Sequence, residues 1–333
     1  MPLVPFHGGF SVQLRQSLPK NRYDRQDLPL GWRHRRNGAG GRMAVVWSQF
    51  GGAVRNDSHR ALSRRSLLAG GCGTVAALLA PAYTRASPNT EPDSSQQARE
   101  DAVQSLPLNE LTGETRRKLM AVCERPTMFR RLPQQTITCD PTLHVFLVRN
   151  PEVVVNIWQL MKVANMTADR QGPFLWKGSD GAGTVCDVEL VYGTDDLHII
   201  YSDGFYEGSL LRNKVNGRCV MCLRSGYAQG PDRRPYVANR LDLFLQIDNL
   251  AADAVTRTLS PWVGKVADAN FRESCVFASK LSQTAEQNSD GVQRLADRLT
   301  NVQPPVREEF SRITATVPER VAAISNGGSV QRR

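Results

Sequence analysis

Residues 237–247 read V-A-N-R-L-D-L-F-L-Q-I and alternate in character along their length. One parity carries Val237, Asn239 and four aliphatic residues, whereas the other parity includes Arg240, Asp242 and Gln246. This two-residue period is typical of a strand with one face on a core and the other towards water. Eleven such residues would span about 37 Å.

A long amphipathic helix is predicted directly after this strand. A helical segment starts near Leu250, and Ser260-Pro261 restarts it with an N-cap residue and a Pro at the first helical position. Apolar residues then recur at helical spacing. From Pro261 to Thr284 the helix would be about 36 Å long, as long as the strand. We therefore expect the helix to lie along one face of a long antiparallel sheet.

The chain before this strand supplies the rest of the sheet. From Met166 onward, short alternating segments are separated by turn signals, which predicts an antiparallel meander. Ser202-Asp203-Gly204 is expected to be one of these turns.

Helices are expected on the N-terminal side of the meander. Asp140-Pro141 and Asn150-Pro151 each pair an Asx cap with a Pro at the first helical position, which predicts two consecutive helices. A helix over 108–125 and a short strand over 134–139 precede them.

The order of strand, two helices, antiparallel strands and long C-terminal helix over residues 130–285 resembles the START-like or helix-grip superfamily, which includes polyketide cyclases, pollen allergens and lipid-transfer domains. The resemblance implies an α+β fold in which an antiparallel sheet wraps around the long C-terminal helix. It also implies an apolar cavity for a hydrophobic small molecule. We expect this domain to cover residues 107–285, with a helical extension and tail over 286–333.

The basic charge of the chain is concentrated at its N-terminus. The net charge is +10, and residues 1–86 contain 13 Lys and Arg but only three Asp. The remaining residues are balanced, with 29 basic and 29 acidic side chains. The body therefore offers no electrostatic basis for binding nucleic acid.

The N-terminal region contains a motif for protein export. Ser63, Arg64, Arg65, Leu67 and Leu68 precede a mildly apolar run rich in Gly and Ala, and small residues follow it. This order resembles a twin-arginine signal peptide, which we place at 59–86. The resemblance implies the twin-arginine export machinery as a partner and the periplasm or cell envelope of a bacterium as the location.

The segments on either side of this signal are expected to lack regular structure. Residues 1–58 are rich in Arg, Gly and Pro without a sustained period, which predicts an unstructured leader. A signal peptide normally stands at the N-terminus, so Met43 is a plausible start and the preceding stretch is then untranslated. Residues 87–106 are polar and are interpreted as a linker.

Cysteine and histidine give little evidence for catalysis or metal binding. Cys219 and Cys222 form a lone C-x-x-C within a strand pattern, so their side chains should face opposite sides. The body contains only two histidines, and we expect His198 on the outward parity of its strand. We predict no catalytic residue, metal, cofactor or disulfide pair.

The candidate site is the wall of a cavity between sheet and helix. The strands would contribute Leu197, Ile199, Tyr201, Met221, Leu223, Asn239, Leu241 and Leu243. The helix would contribute Trp262, Val266, Asn270, Ser274 and Phe277. Asn239, Asn270 and Ser274 interrupt these apolar faces, so each needs a hydrogen-bond partner in the protein, water or a ligand.

These observations predict an exported, non-enzymatic binding protein for a hydrophobic small molecule or lipid. Two alternatives stay open. A cyclase or hydratase on the same fold would need a titratable group inside the cavity. A structural or interaction module of the cell envelope would have a filled interior and no ligand.

Overall fold

The computed structural model describes residues 91–208, 214–248 and 252–326, without the side chains of residues 252–262. These residues form an α+β fold with one eight-stranded antiparallel sheet and helices that include a long helix after the last strand. The predicted leader and the export signal lie outside the described residues.

The elements occur in the predicted order. The strands are β1 Met128–Arg131, β2 Gln135–Thr138, β3 Thr167–Gly172, β4 Leu175–Ser179, β5 Thr184–Gly193, β6 Leu197–Tyr206, β7 Val215–Gln229 and β8 Pro235–Ile247. The helices are α1 Gln96–Gln104, α2 Gly113–Cys123, α3 Pro141–Arg149, α4 Pro151–Leu160, α5 Ala252–Gln287, α6 Ser289–Asp297, α7 Pro304–Ala315 and α8 Val317–Ser325.

Strand β8, which contains the segment 237–247, lies next to the first strands of the sheet. The order across the sheet is β1-β8-β7-β6-β5-β4-β3, and β2 also pairs with β8, beyond the end of β1. Strands β3 to β8 form the predicted meander, with each strand antiparallel to the next. The chain therefore starts and finishes the sheet at the same edge.

Strand β6 corrects one expectation, because Ser202-Asp203-Gly204 is not a turn. The strand continues through these residues, and Gly204 pairs with Cys186 of β5 and with Gly217 of β7. A Cβ atom on Gly204 would collide with the backbone oxygen of Val185. The glycine thus allows a close approach of two strands, although its sequence context is that of a turn.

One face of the sheet is covered by the N-terminal helices. Ile199, Val220 and Phe244 are completely buried on this face against Leu119 and Val122 of α2. Helix α1 adds Ala98 and Ala102 to the same cluster. Residues 87–106 were expected to form a polar linker, and their second half instead forms α1, whose narrow alanine face packs on the sheet.

Helix α5 lies on the other face, along the edge formed by β1 and β2. Arg130 of β1 donates from Nε to Oδ1 of Asp268 across 2.9 Å. Further along, Cys275 of α5 packs against Val237 of β8 and Ile137 of β2. The helix is continuous from Ala252 to Gln287, so the restart expected at Ser260-Pro261 does not occur.

The helices α3 and α4 begin at the two Asx-Pro pairs, but only the first Asx residue caps its helix. Oδ1 of Asp140 accepts from the backbone N of Leu143 across 2.8 Å. Asn150 makes no capping bond. Its Nδ2 instead donates to the carbonyl oxygen of Phe146, and its Oδ1 accepts from Arg170.

The C-terminal helices share a hydrophobic core with α3, α4 and α5. Phe310 of α7 stacks on Phe146 of α3, and Leu299 and Val321 belong to the same cluster. Arg320 of α8 donates from Nε and Nη2 to the two carboxylate oxygens of the buried Asp140. In the part of the chain that the structure describes, no helix has the length and apolar character needed to cross a membrane.

Candidate ligand-binding site

The face of the sheet that looks towards α5 carries a band of aliphatic side chains across β6, β7 and β8. The register aligns Ile200 of β6 with Met221 of β7 and Leu243 of β8. The neighbouring row contains His198, Leu223 and Leu241. We call Ile200, Met221, Leu223, Leu241, Leu243 and Leu245 the aliphatic band.

The α5-facing side of the sheet is buried at Val237 and Cys219 but less completely along the aliphatic band. All six members of the aliphatic band are partly exposed, whereas Ile199, Val220 and Phe244 on the opposite face are fully buried. Among the described residues, none of the six members belongs to a hydrophobic cluster. Among the described residues, α5 contacts the sheet chiefly at β2, along the β1 and β2 edge.

The strand residues predicted to line a cavity divide between the two faces. Met221, Leu223, Leu241 and Leu243 lie in the aliphatic band, and Asn239 is buried on the same face. Leu197, Ile199 and Tyr201 require a correction, because Ile199 pairs with Cys222 and therefore faces α2. The reason is that β6 has buried side chains on both faces, so alternation alone did not identify the face towards α5.

The helix residues predicted for the site also differ in burial and in what they contact. Asn270 is buried, and Val266 is partly exposed. Phe277 is buried against the ring of Trp158 in the helical core. Ser274 is exposed to solvent, so it lies outside the candidate site. The side chain of Trp262 is not among those the structure describes.

A polar cluster that the sequence analysis did not anticipate stands at one end of the aliphatic band. His198 was expected to face outward, but its side chain is 0% exposed and lies in the row of Leu223 and Leu241. Arg149, at the end of α3, donates from Nε to Nε2 of His198 across 3.2 Å. Its Nη2 also lies 3.5 Å from Oδ1 of Asp195.

A second histidine, from α3, completes this cluster. Nδ1 of His144 lies 3.2 Å from the Tyr227 hydroxyl, which itself donates to the carbonyl oxygen of Asp195 across 2.7 Å. Because the hydroxyl proton is used in that bond, the hydroxyl oxygen accepts from His144, which therefore carries its proton on Nδ1. His144 is buried. Its contact with Tyr227 places it near the end of β7.

Asn239 joins the sheet to α5 beside these histidines. Its Oδ1 accepts from the Ser225 hydroxyl across 2.8 Å, and its Nδ2 lies 3.8 Å from Sγ of Cys275. The polar interruption in the face of β8 is thus satisfied within the protein. This is the outcome expected of a buried amide, whose loss of a partner would cost about 1–3 kcal/mol.

Both histidines are held in the neutral form. Burial lowers the pKa of His144 to about 4, the proximity of His198 acts in the same direction, and a hydrogen bond with Asn239 only partly offsets these effects. Burial also lowers the pKa of His198 to about 4, and the Arg149 guanidinium acts in the same direction. At neutral pH the cluster therefore offers two neutral imidazoles at the end of the aliphatic band.

The six described cysteines lie in the interior of the protein. Cys219 and Cys222 face opposite sides of β7, as the strand pattern predicted, because one aligns with Ser202 and the other with Ile199. All six described cysteines are buried free thiols, and burial raises the pKa of each. Within the described ranges, no group of three His, Cys, Asp or Glu side chains could hold a metal ion.

The sequence contained one signal for the missed polar cluster. His198, Ser225 and Asn239 all fall on the parity that the register brings to one face, but this is visible only once the β6 to β8 register is known. A scan against protein-family models finds no match for this chain, and a search of curated proteins finds no significant relative.

Proposed function

We propose that this chain is a non-enzymatic binding protein for a hydrophobic small molecule or lipid. The observation that carries the proposal is the contrast between the two faces of the sheet. The face against α1 and α2 is closely packed, whereas the aliphatic band that looks towards α5 is only partly buried. A row of partly exposed apolar side chains between a sheet and a helix is typical of the wall of a pocket for an apolar ligand.

The topology supports the same proposal. The chain builds one edge of the sheet, forms α3 and α4, returns through a six-stranded meander and ends the domain with a long helix. This is the order that we likened to the START-like or helix-grip superfamily. In that superfamily the sheet grips the helix around an apolar cavity, and we propose the same arrangement here.

We further propose that the protein is exported through the twin-arginine machinery to the periplasm or cell envelope. The proposal rests on Ser63, Arg64, Arg65, Leu67 and Leu68 and on the six buried thiols, which suit a protein that folds in a reducing compartment before export. Expression with Arg64→Lys and Arg65→Lys together should leave the precursor in the cytoplasm. Normal export of this double variant would contradict the proposal.

An enzyme of the cyclase or hydratase kind is the second candidate function, and the structure gives it one specific observation. His144 and His198 are titratable groups buried at the end of the aliphatic band, which is the feature that the sequence analysis required of such an enzyme. Their low pKa values make them weak general bases at neutral pH, so binding remains the preferred proposal.

Titration with N-phenyl-1-naphthylamine, an uncharged fluorescent probe, tests the binding proposal. We expect saturable binding of about one probe per chain, consistent with a single apolar pocket. A Met221→Trp variant should fill the pocket and weaken binding about tenfold or more. Phe174→Trp is the matched control, because it adds the same indole at a side chain that is 56% exposed.

Three outcomes separate the candidate functions. Loss of binding in Met221→Trp, but not in Phe174→Trp, supports a ligand pocket. Absence of saturable binding in the wild-type protein contradicts the binder and favours the ligand-free module. Organic extraction of purified protein followed by mass spectrometry then identifies any lipid that accompanies it.

A further inference from the structure

His198 occupies the point where the aliphatic band meets the polar cluster. It pairs with Gly193 of β5 on one side and with Leu223 of β7 on the other. The ring is completely buried, yet its Nδ1 has no hydrogen-bond partner in the described part of the chain. A buried nitrogen without a partner is uncommon and requires a specific explanation.

Arg149 determines which nitrogen of His198 carries the proton. The guanidinium of Arg149 has only donors and donates from Nε to Nε2 of His198. Nε2 must therefore present a lone pair, so the proton of the neutral ring resides on Nδ1. The unpartnered atom is thus a buried N–H donor.

The ring presents its Cδ2–Nε2 edge to β5, so its donor lies on the edge towards β7. A Cβ atom built on Gly193 would lie 3.4 Å from Cδ2 and 3.9 Å from Nε2 of His198, so that edge of the ring faces β5. Nδ1 stands on the opposite edge and faces β7, where Leu223 and then Leu241 follow in the register. Both leucines are partly exposed members of the band.

We propose, on the basis of the binding function proposed above, that the Nδ1–H of His198 donates a hydrogen bond to a carbonyl oxygen of an otherwise apolar ligand. The ligand would lie along the aliphatic band with its carbonyl group at the His198 end. A buried donor without a partner favours a ligand that supplies an acceptor over an isostere that lacks one.

The surrounding charges favour an uncharged acceptor over a carboxylate. The nearest cation, Arg149, is already paired with Asp195, and Asp196 adds a second negative charge close to His198. A carboxylate would therefore meet a partly neutralised cation and two acidic side chains. A carbonyl oxygen needs only the single N–H that His198 provides.

Competition for N-phenyl-1-naphthylamine with three ligands of equal chain length tests this assignment. They are an alkan-2-one, a 2-methylalk-1-ene in which CH₂ replaces the carbonyl oxygen, and the corresponding alkanoate. We expect the ketone to bind about tenfold more tightly than the alkene. We also expect the alkanoate to bind no more tightly than the ketone.

Two variants on the same strand provide the matched comparison. His198→Phe retains a ring but removes the donor, so the ketone should lose its advantage while the affinity for the alkene changes little. Tyr201→Phe removes a polar group from the opposite face of β6 and should preserve the ketone preference.

The possible failures are distinguishable. Equal binding of ketone and alkene by the wild-type protein would overturn the role of His198 and leave the binding function intact. An alkanoate preference of about tenfold or more would replace the carbonyl with an anion held by Arg149. If the probe itself does not bind, the binding function fails and this inference fails with it.

Nuclear magnetic resonance of the ¹⁵N-labelled wild-type protein gives an answer even if His198→Phe does not fold. The imidazole nitrogens of His198 should show protonation at Nδ1, and the Nδ1–H signal should shift when the ketone is added but not when the alkene is added. Protonation at Nε2, or a signal that the ketone leaves unchanged, would overturn the proposal.

Discussion

The guanidinium of Arg149 donates from Nε to Nε2 of His198 across 3.2 Å, which joins the end of α3 to the start of β6. This bond requires a neutral imidazole, because a protonated ring has no acceptor. His198 was expected on the outward face, so the Arg149–His198 contact is the clearest addition that the structure makes to the candidate site.

The neutral histidines predict that the protein loses stability in mild acid. His144 and His198 have folded-state pKa values of about 4, below the ordinary pKa of 6.5 expected in the unfolded chain. The unfolded state therefore binds more protons between these values, so their stabilising contribution is complete above about pH 6.5 and is lost as the pH falls towards 4. Each histidine should contribute a slope of about 1.4 kcal/mol per pH unit in this window.

Urea unfolding at several pH values measures this slope. The variants His144→Gln and His198→Phe should each reduce the dependence of the unfolding free energy on pH, because one titrating group is removed while the carboxylates remain. If both variants retain the full slope of the wild-type protein, the histidines are not buried in neutral form.

The contrast between the two sheet faces predicts different responses to a phenylalanine placed at two adjacent positions. Val220 is completely buried in the packed face, so Val220→Phe should lower the unfolding free energy by about 1–3 kcal/mol. Met221 lies in the aliphatic band, where the larger ring can occupy uncovered space. Met221→Phe should therefore change the unfolding free energy by less than about 0.5 kcal/mol.

Chemical denaturation of the two variants provides the comparison. Equal destabilisation would mean that the α5-facing side is packed as closely as the other side. That result would favour the filled structural module over a binding protein.

The bond between α8 and the start of α3 predicts that the C-terminal extension stabilises the domain. Asp140 is 1% exposed and pairs with Arg320 through both carboxylate oxygens. Arg320→Leu leaves that carboxylate without its cation and should cost about 3 kcal/mol of unfolding free energy.

Arg312→Leu is the control on the neighbouring helix, because the Arg312–Glu309 pair is exposed and its loss should change the unfolding free energy little. Thermal or urea unfolding measures both variants. Similar, small losses would show that α8 is not held by Asp140.

The buried thiols predict very slow labelling of the native protein. The six described cysteines are buried, and burial raises their pKa values, which suppresses the reactive thiolate; Cys139, Cys219 and Cys222 are representative. Ellman's reagent, with the labelled peptides identified by mass spectrometry, should modify none of the six before unfolding and all of them in denaturant. Rapid native labelling of Cys219 or Cys222 would contradict the packing described for β7.

The sequence predicted the order of elements well because its strongest patterns are long or chemically distinctive. The alternation over 237–247 identified β8, and Asp140-Pro141 and Asn150-Pro151 located the starts of α3 and α4. These signals depend on local periodicity and on helix-start chemistry, which operate within a few residues.

The sequence did not predict features that depend on which surfaces meet. Helix α1 was missed because its buried face consists of small alanines, and β6 was assigned the wrong inward parity because both of its faces are covered. The expectation that His198 faces outward was wrong for the same reason. The Arg149–His198 contact joins residues 49 positions apart, so no local pattern could reveal it.

The most direct test of the central claim is a crystal structure of the protein soaked under xenon. Apolar space that is not filled by protein binds xenon readily. Our account predicts xenon, or a co-purified ligand, in contact with Met221 and Leu241 between the sheet and α5. An aliphatic band covered by protein atoms, with neither xenon nor ligand against it, would contradict the account.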